Sequence, residues 1–141
     1  MSSQPQRSPL TVVERLHRAM NQHNLDEFVG CFASDYQSEQ PLFPDRVFNG
    51  SDQVRKNWSS IFASVPDFQS ELLRTAVSGD TIWSEWHWRG TRTDDTPFEM
   101  RGVIILGIRN DQISWARLYM DSVHADSGDI DATVKDMTHT S

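Results

Sequence analysis

The second half of the chain alternates apolar and polar residues, and this period of two constrains the fold more than any other feature of the sequence. Four alternating segments follow Pro66, separated by turn sequences such as Ser78-Gly79-Asp80 and Asn110-Asp111. The predicted strands are 68–77, 81–91, 98–108 and 112–123. Short turns join consecutive strands as hairpins, so the pattern predicts an antiparallel sheet.

The first half has apolar residues at the three- and four-residue spacing of amphipathic helices. Ser8 with Pro9, or Thr11 with Glu14, is the start signal of the first helix, and Asn24 is a cap for the second. The predicted elements are helices at 9–22, 25–32 and 51–65 and a strand at 34–40. This order predicts an α+β fold: a cone-shaped, strongly curved antiparallel sheet packed against three helices, with a mouth suited to a small molecule.

Length and composition indicate one globular domain. The chain has 141 residues, and its predicted parts are a disordered tail at 1–8, a domain at 9–123 and a polar tail at 124–141. Its net charge of −7 argues against nucleic acid or a membrane surface as partner, because no basic stripe is available to neutralise phosphate. The N-terminal residues contain no apolar run of the signal-peptide kind, so a cytoplasmic location is expected.

Five short phrases in a fixed order accompany this element order. The sequence from about residue 10 to 123 therefore resembles the SnoaL-like family of the nuclear transport factor two-like superfamily. The phrases are Asn21-Gln22-His23-Asn24-Leu25-Asp26, Phe48-Asn49-Gly50-Ser51-Asp52-Gln53-Val54, Val65-Pro66-Asp67-Phe68, Met100-Arg101-Gly102-Val103 and Tyr119-Met120-Asp121. The resemblance implies a pocket and a homodimer, but not one activity, because the family includes cyclases, isomerases, epoxide hydrolases, dehydratases and non-catalytic binders.

Two activities of related proteins are disfavoured by the residues present. Ketosteroid isomerases use an Asp base with a Tyr and a protonated Asp, and the matching positions are Gln40, Leu16 and Ile104. An amide is a very weak base, and the two aliphatic side chains cannot donate a hydrogen bond. Limonene-type epoxide hydrolases need an Arg-x-Asp pair on an inner strand, and the corresponding segment 83–89 has none.

Two carboxylates are the candidate acid–base residues. In SnoaL-type cyclases an Asp near the end of the last strand acts on the substrate, and Asp121 matches that position by resemblance. Alternation puts Asp121 and Tyr119 on one face and Leu118 and Met120 on the other, so Asp121 reaches the pocket only if the strand end twists or bulges.

Glu39 is the second candidate, on the first predicted strand. The register of that strand is open: either Tyr36, Ser38 and Gln40 face inward, or Gln37 and Glu39 do. Burial beside a pocket raises the pKa of a carboxylic acid and suits it to proton transfer near neutral pH.

His87 alternates with two tryptophans and is expected on the back of the sheet, where cross-strand Glu99 and Arg101 would pair with it. No His-x-His or His-Glu-x-x-His spacing indicates a metal site, and no Gly-rich phosphate loop indicates a nucleotide cofactor. Cys31 is the only cysteine, so an intrachain disulfide is excluded. No cofactor and no metal are therefore expected.

The predicted pocket wall is aromatic and apolar, and it suits a flat apolar or polycyclic ligand. The residues assigned to substrate binding are Trp58, Phe62, Trp86, Trp88, Met100, Ile104, Leu118, Met120, Tyr119 and Gln40. Trp83 and Trp115 lie on the opposite face, where exposed rings favour a homodimer interface. We expect a small-molecule enzyme that uses cofactor-free acid–base catalysis on a hydrophobic substrate; the alternative is a binding protein with the same pocket and no turnover.

Overall fold

The computed structural model describes residues 8–138. Their helices are α1 (Pro9–Gln22), α2 (Leu25–Gly30), α3 (Ser51–Ser64) and α4 (Ile130–Thr138). Their strands are β1 (Phe32–Glu39), β2 (Phe48–Asn49), β3 (Gln69–Ser78), β4 (Thr81–Thr91), β5 (Pro97–Arg109) and β6 (Gln112–Ser122), with a 3₁₀ turn at Pro44–Arg46. The disorder predicted for residues 1–7 lies outside the described residues.

The strands form one open, curved sheet in the order β2-β1-β6-β5-β4-β3. The predicted meander of β3 to β6 is confirmed, since each pairs antiparallel with the next. The predicted antiparallel sheet contains one parallel pair, β1 with β6. A long connection, rather than a hairpin turn, joins these two strands and permits that direction. Register shifts in the β1–β6, β3–β4 and β5–β6 pairs bend the sheet.

Local signals in the sequence explain where the helices begin. The Ser8 side chain accepts a hydrogen bond from the backbone N–H of Leu10, and Asn24 Oδ1 accepts one from Glu27 N at 3.1 Å. These two caps are the predicted ones. The cap of α3 is Gly50, and its φ of 93° is a conformation that glycine adopts without steric cost.

The first three helices cover one face of the sheet, called the inner face below. The apolar stripe of α1, with Val13 fully buried at its centre, packs there against strand residues such as Ile82 and Trp86. Alternation sends the neighbouring strand residues to the opposite, outer face, where Trp83 is 50% exposed. The sheet is therefore half covered, and the space between the inner face and the helices holds the cavity.

The predicted polar tail contains a helix. In α4 every side chain is at least partly solvated, and Ile130, Val134 and Met137 lie exposed along it. Within residues 8–138, no helix combines the length and the apolar character needed to cross a membrane.

Candidate functional site

A cavity of about 220 Å³ lies between the inner face and helices α1 to α3. Of its 21 lining residues, 16 are apolar, and the remaining five are Tyr36, Ser38, Gln40, Arg46 and Asn57. A largely apolar pocket with a few polar groups is the usual composition of a small-molecule site. Its volume is below the roughly 300 Å³ at which pockets for drug-sized ligands begin.

Three tryptophans form one wall of the cavity. The ring of Trp88 lies 5.3 Å from Trp58 and 6.4 Å from Trp86, measured between centroids. Trp86 Nε1 donates to Ser84 Oγ at 2.8 Å, and that hydroxyl donates to the carbonyl of Ile104 at 2.7 Å. Trp88 Nε1 is buried and has no acceptor among residues 8–138. One donor in this wall is therefore unsatisfied by the described residues.

Strand β1 supplies the polar wall. Tyr36, Ser38 and Gln40 lie at alternate positions and line the cavity, and the first two are 3% and 2% exposed. Burial raises the pKa of Tyr36 to about 12, against a smaller opposing effect of a hydrogen bond with Ser38. The phenol therefore stays protonated and remains a hydrogen-bond donor at neutral pH.

The cavity opens to solvent at Arg46, which is the exposed member of its lining. Arg46 Nη1 donates to Gln40 Oε1 at 3.0 Å, and its guanidinium lies 3.8 Å from the centre of the Phe43 ring. Asn57 of α3 lines the same cavity. The mouth is thus cationic and bordered by amides.

Eight of the ten residues that the sequence assigns to binding line the cavity. The other two lie elsewhere. Phe62 stacks on His23, with ring centroids 4.9 Å apart, and Tyr119 is 37% exposed and alternates with cavity-lining Leu118 and Met120. Their assignment to substrate binding is therefore without support in this geometry.

Neither candidate carboxylate is among the lining residues. Asp121 is exposed, pairs across the strands with Arg101 and accepts a hydrogen bond from Ser122 N at 2.8 Å. Glu39 follows buried Ser38 on the opposite face of β1, and its carboxylate lies 3.8 Å from Arg117 Nε. The strand end of β6 does not turn Asp121 inward, and the even-numbered register of β1 sends Glu39 outward. The structure does not bring the two carboxylates together in the cavity.

His87 belongs to a charged cluster outside the cavity. Its Nε2 lies 2.7 Å from Glu99 Oε2, and its Nδ1 lies 3.6 Å from Glu71 Oε1. The pairing with Glu99 is the expected one, whereas Glu71 is an additional partner, and together they leave the ring only 6% exposed. His87 is held by structural contacts and does not line the cavity.

No group of three or more His, Cys, Asp and Glu residues in the described part of the chain is arranged to hold a metal ion. Cys31 is fully buried, and its thiol donates to the carbonyl of Glu27 at 3.4 Å. Burial raises the pKa of Cys31 to about 11, so this thiol is a poor nucleophile at neutral pH.

Among the five polar residues of the cavity, Arg46 and Asn57 are the two that the sequence analysis did not place near a pocket. Asn57 occupies the apolar stripe of α3, three residues after Val54 and one before Trp58, and a polar side chain at such a position is a readable signal. Arg46 lies in a loop whose path only the fold determines. The positions matched to the isomerase groups, Leu16, Gln40 and Ile104, all line the cavity, and none carries an acid or a base.

The curved sheet, the three helices and the cavity between them make an α+β architecture with the fold of nuclear transport factor two-like proteins. Residues 13–116 match the family model of the SnoaL-like domain, and the chain belongs to this SnoaL-like family. No curated protein matches the chain significantly.

Solved structures share the fold. IdmH of Streptomyces antibioticus, described as a candidate polyketide cyclase, superposes with a TM-score of 0.69 at 20% identity over 82% of this chain and 92% of its own. An LEH-like epoxide hydrolase of M. tuberculosis gives 0.69 at 15% identity over 80% and 82%. A ketosteroid isomerase-like protein of Catenulispora acidiphila, solved with trimethylamine, gives 0.67 at 17% over 84% and 87%. Such low identities establish a common fold and no common activity.

Proposed function

We propose that the cavity binds a small, largely apolar molecule of one or two rings and does not turn it over. The observation that carries this proposal is the lining itself: among the described residues, it includes no Asp, Glu, His, Lys or Cys. General acid–base catalysis needs a side chain within hydrogen-bond reach that gains or loses a proton near the working pH. The pKa of about 12 of Tyr36 is far from that range.

The volume supports a ligand smaller than the polycyclic one that the sequence favoured. A dry engineered cavity of about 150 Å³ accommodates benzene, so about 220 Å³ suits one ring with substituents or two fused rings. Trp58, Trp86 and Trp88 offer ring faces and edges to such a molecule, and aromatic contacts of this kind add about 0.5–1.5 kcal/mol each beyond the area they bury.

The second candidate function is turnover of a ligand in the same cavity. Two proteins with this fold are described as enzymes, IdmH as a candidate polyketide cyclase and the M. tuberculosis protein as an epoxide hydrolase. Tyr36 and Ser38 favour turnover, because buried hydroxyl groups can donate to a substrate oxygen on which negative charge develops. In this alternative the two hydroxyls, rather than Asp121 and Glu39, carry the chemistry.

Binding is tested with 4-nitroanisole, a neutral one-ring molecule that quenches indole fluorescence. We expect saturable quenching of the wild-type protein with a Kd of about 0.1 mM, a usual strength for a ligand of this size. Trp88→Phe keeps a ring in the wall but removes one indole from the cavity, so the amplitude falls.

Trp83→Phe is the matched control, because Trp83 lies on the same strand but on the outer face. It should keep the cavity-dependent quenching. Quenching that rises linearly without saturation and is equal in all three proteins would show that the probe meets the surface only, and the binding proposal would be wrong.

A further inference from the structure

The oxygen of each amide side chain that lines the cavity already accepts one hydrogen bond. Gln40 Oε1 accepts from Arg46 Nη1 at 3.0 Å, and Asn57 Oδ1 accepts from Gln53 Nε2 at 2.7 Å. Each amide therefore has its NH₂ group left to offer. Both residues line the cavity, so what they present to a ligand is a donor.

The other polar groups of the cavity also offer hydrogen-bond donors to a ligand. The indole N–H of Trp88 has no acceptor among residues 8–138, and the side chain is 5% exposed. Tyr36 and Ser38 share a hydrogen bond with each other, so this pair has one hydroxyl hydrogen left to donate. Arg46 is a donor only, because a guanidinium has no acceptor atom. A ligand that satisfies Trp88 Nε1 and Arg46, which can only donate, must supply acceptors.

The charge at the mouth has one sign. Arg46 is the charged residue among the described lining residues, and no carboxylate of residues 8–138 lies within 4.0 Å of its guanidinium nitrogens. Most other arginines of the sheet and helices have such a partner, for example Arg109 with Asp35 at 2.8 Å. The contact with Gln40 and the Phe43 ring fixes the guanidinium without neutralising it. A fixed, unneutralised guanidinium is suited to a planar carboxylate.

We propose that the ligand is a small organic acid, with an apolar body of one or two rings against the tryptophan wall and a carboxylate held at the mouth by Arg46 and the NH₂ group of Gln40. This inference rests on the binding function proposed above and names its ligand class. The net charge of −7 repels anions. A preference of the protein for organic acids would therefore have to come from the local groups at the mouth of the cavity.

The test compares acids with their neutral amides, which have nearly the same shape. The probes are cinnamate with cinnamamide, cyclohexanecarboxylate with cyclohexanecarboxamide, and 2-naphthoate with 2-naphthamide, titrated calorimetrically at pH 7 and low salt. We expect each acid whose body fits the cavity to bind at least about tenfold more tightly than its amide, because a hydrogen bond with a charged partner exceeds a neutral one by that order. Added salt should reduce the preference, since the mouth is exposed.

Two variants localise the effect. In Arg46→Gln, the Kd values of each acid and its amide should lie within about threefold of each other. In Gln40→Glu, the acid should bind more weakly than it does to the wild-type protein, because the new carboxylate repels that of the ligand, while the amide still binds. Arg101→Gln is the control: it removes one positive charge from an exposed position outside the cavity and should keep the full preference.

The outcomes separate the two proposals. If the amides bind and the acids bind no better, or if Arg101→Gln removes the preference as much as Arg46→Gln does, the organic-acid inference is wrong while the binding function survives. If no member of the three pairs binds, both are wrong. A preference that is lost in Arg46→Gln and retained in Arg101→Gln supports both.

Discussion

Burial determines what single side chains of this protein can do. Tyr36 and Asp121 both belong to strands that reach the mouth end of the sheet, yet the phenol is 3% exposed in the cavity and the carboxylate is exposed outside it. A carboxylate in water keeps a full hydration shell and cannot act on a ligand that it does not touch. The groups available to a bound molecule are therefore hydroxyl, amide and guanidinium groups.

At this scale we predict that Tyr36→Phe weakens the binding of cinnamamide by about 2- to 12-fold, which corresponds to one net hydrogen bond of about 0.5–1.5 kcal/mol. Because the pKa of Tyr36 is raised to about 12, the wild-type affinity should stay constant as the pH rises to 10, where half of an ordinary tyrosine population has lost its proton. Calorimetric titrations at several pH values measure both effects.

Asp121→Asn and Glu39→Gln are the control variants for the Tyr36→Phe titrations. Both are nearly isosteric, both residues lie outside the cavity, and neither should change the affinity by more than about twofold. A larger loss in either variant than in Tyr36→Phe would restore the carboxylates as site residues, and the same ranking is expected in any assay that detects turnover.

Among the elements, β5 leaves no room for a side chain against the backbone of β6 at Gly102. A Cβ atom at Gly102 would overlap the carbonyl oxygen of Tyr119 and lie 2.8 Å from the Cα of Met120. These are backbone atoms of the neighbouring strand, so they can move only if the pair opens. Met100 and Met120 beside this contact line the cavity, and the close approach therefore also shapes the cavity wall.

We predict that Gly102→Ala destabilises the protein by about 3 kcal/mol, the upper part of the usual range for overpacking. Gly79→Ala serves as the reference: a Cβ atom at Gly79 would have no neighbour within 4 Å, and only the cost of its φ of 60°, about 1 kcal/mol, applies. Urea unfolding of both variants measures the difference. Equal destabilisation would mean that the strand contact has no energetic consequence.

For the whole molecule, the outer face of the sheet is the large surface that helices α1 to α3 do not cover. Trp83 is 50% exposed and Tyr119 37%, and Val103 and Ile105 lie between them in the cross-strand register. Exposed aromatic rings in one patch of a sheet face, here with Glu85 and Arg117 in the same registers, are typical of an interface. The homodimer expected from the sequence remains a proposal, and this patch is the surface that we assign to it.

We predict that sedimentation equilibrium at micromolar concentration gives a particle of twice 16.2 kDa. Trp83→Glu should dissociate this dimer, because an unpaired carboxylate is costly to bury in an interface. Leu42→Glu, at a residue that is 71% exposed in the loop after β1, should leave the dimer intact. A wild-type monomer, or dissociation by Leu42→Glu alone, would contradict this assignment of the interface.

Local signals in the chain were enough to predict three of the four described helices, five of the six described strands and the two faces of the meander. Alternation placed Trp86 and Trp88 opposite His87, and caps at Ser8 and Asn24 marked the first two helices, because these signals act over a few residues and need no knowledge of distant partners. The order of elements and short phrases predicted the family, and the match of residues 13–116 to the SnoaL-like family model confirms it.

The direction in which the residues of β1 face depends instead on tertiary contacts. Alternation alone allows either Ser38 or Glu39 to point inward, and the pairing of Ser38 with Ala116 of β6, a strand more than seventy residues away, resolves it. The same pairing sends Glu39 to Arg117, and the closure of the loop after β1 brings Arg46 to the mouth. Contacts between segments far apart in the chain leave no local pattern, and for that reason the polar half of the site appeared only with the fold.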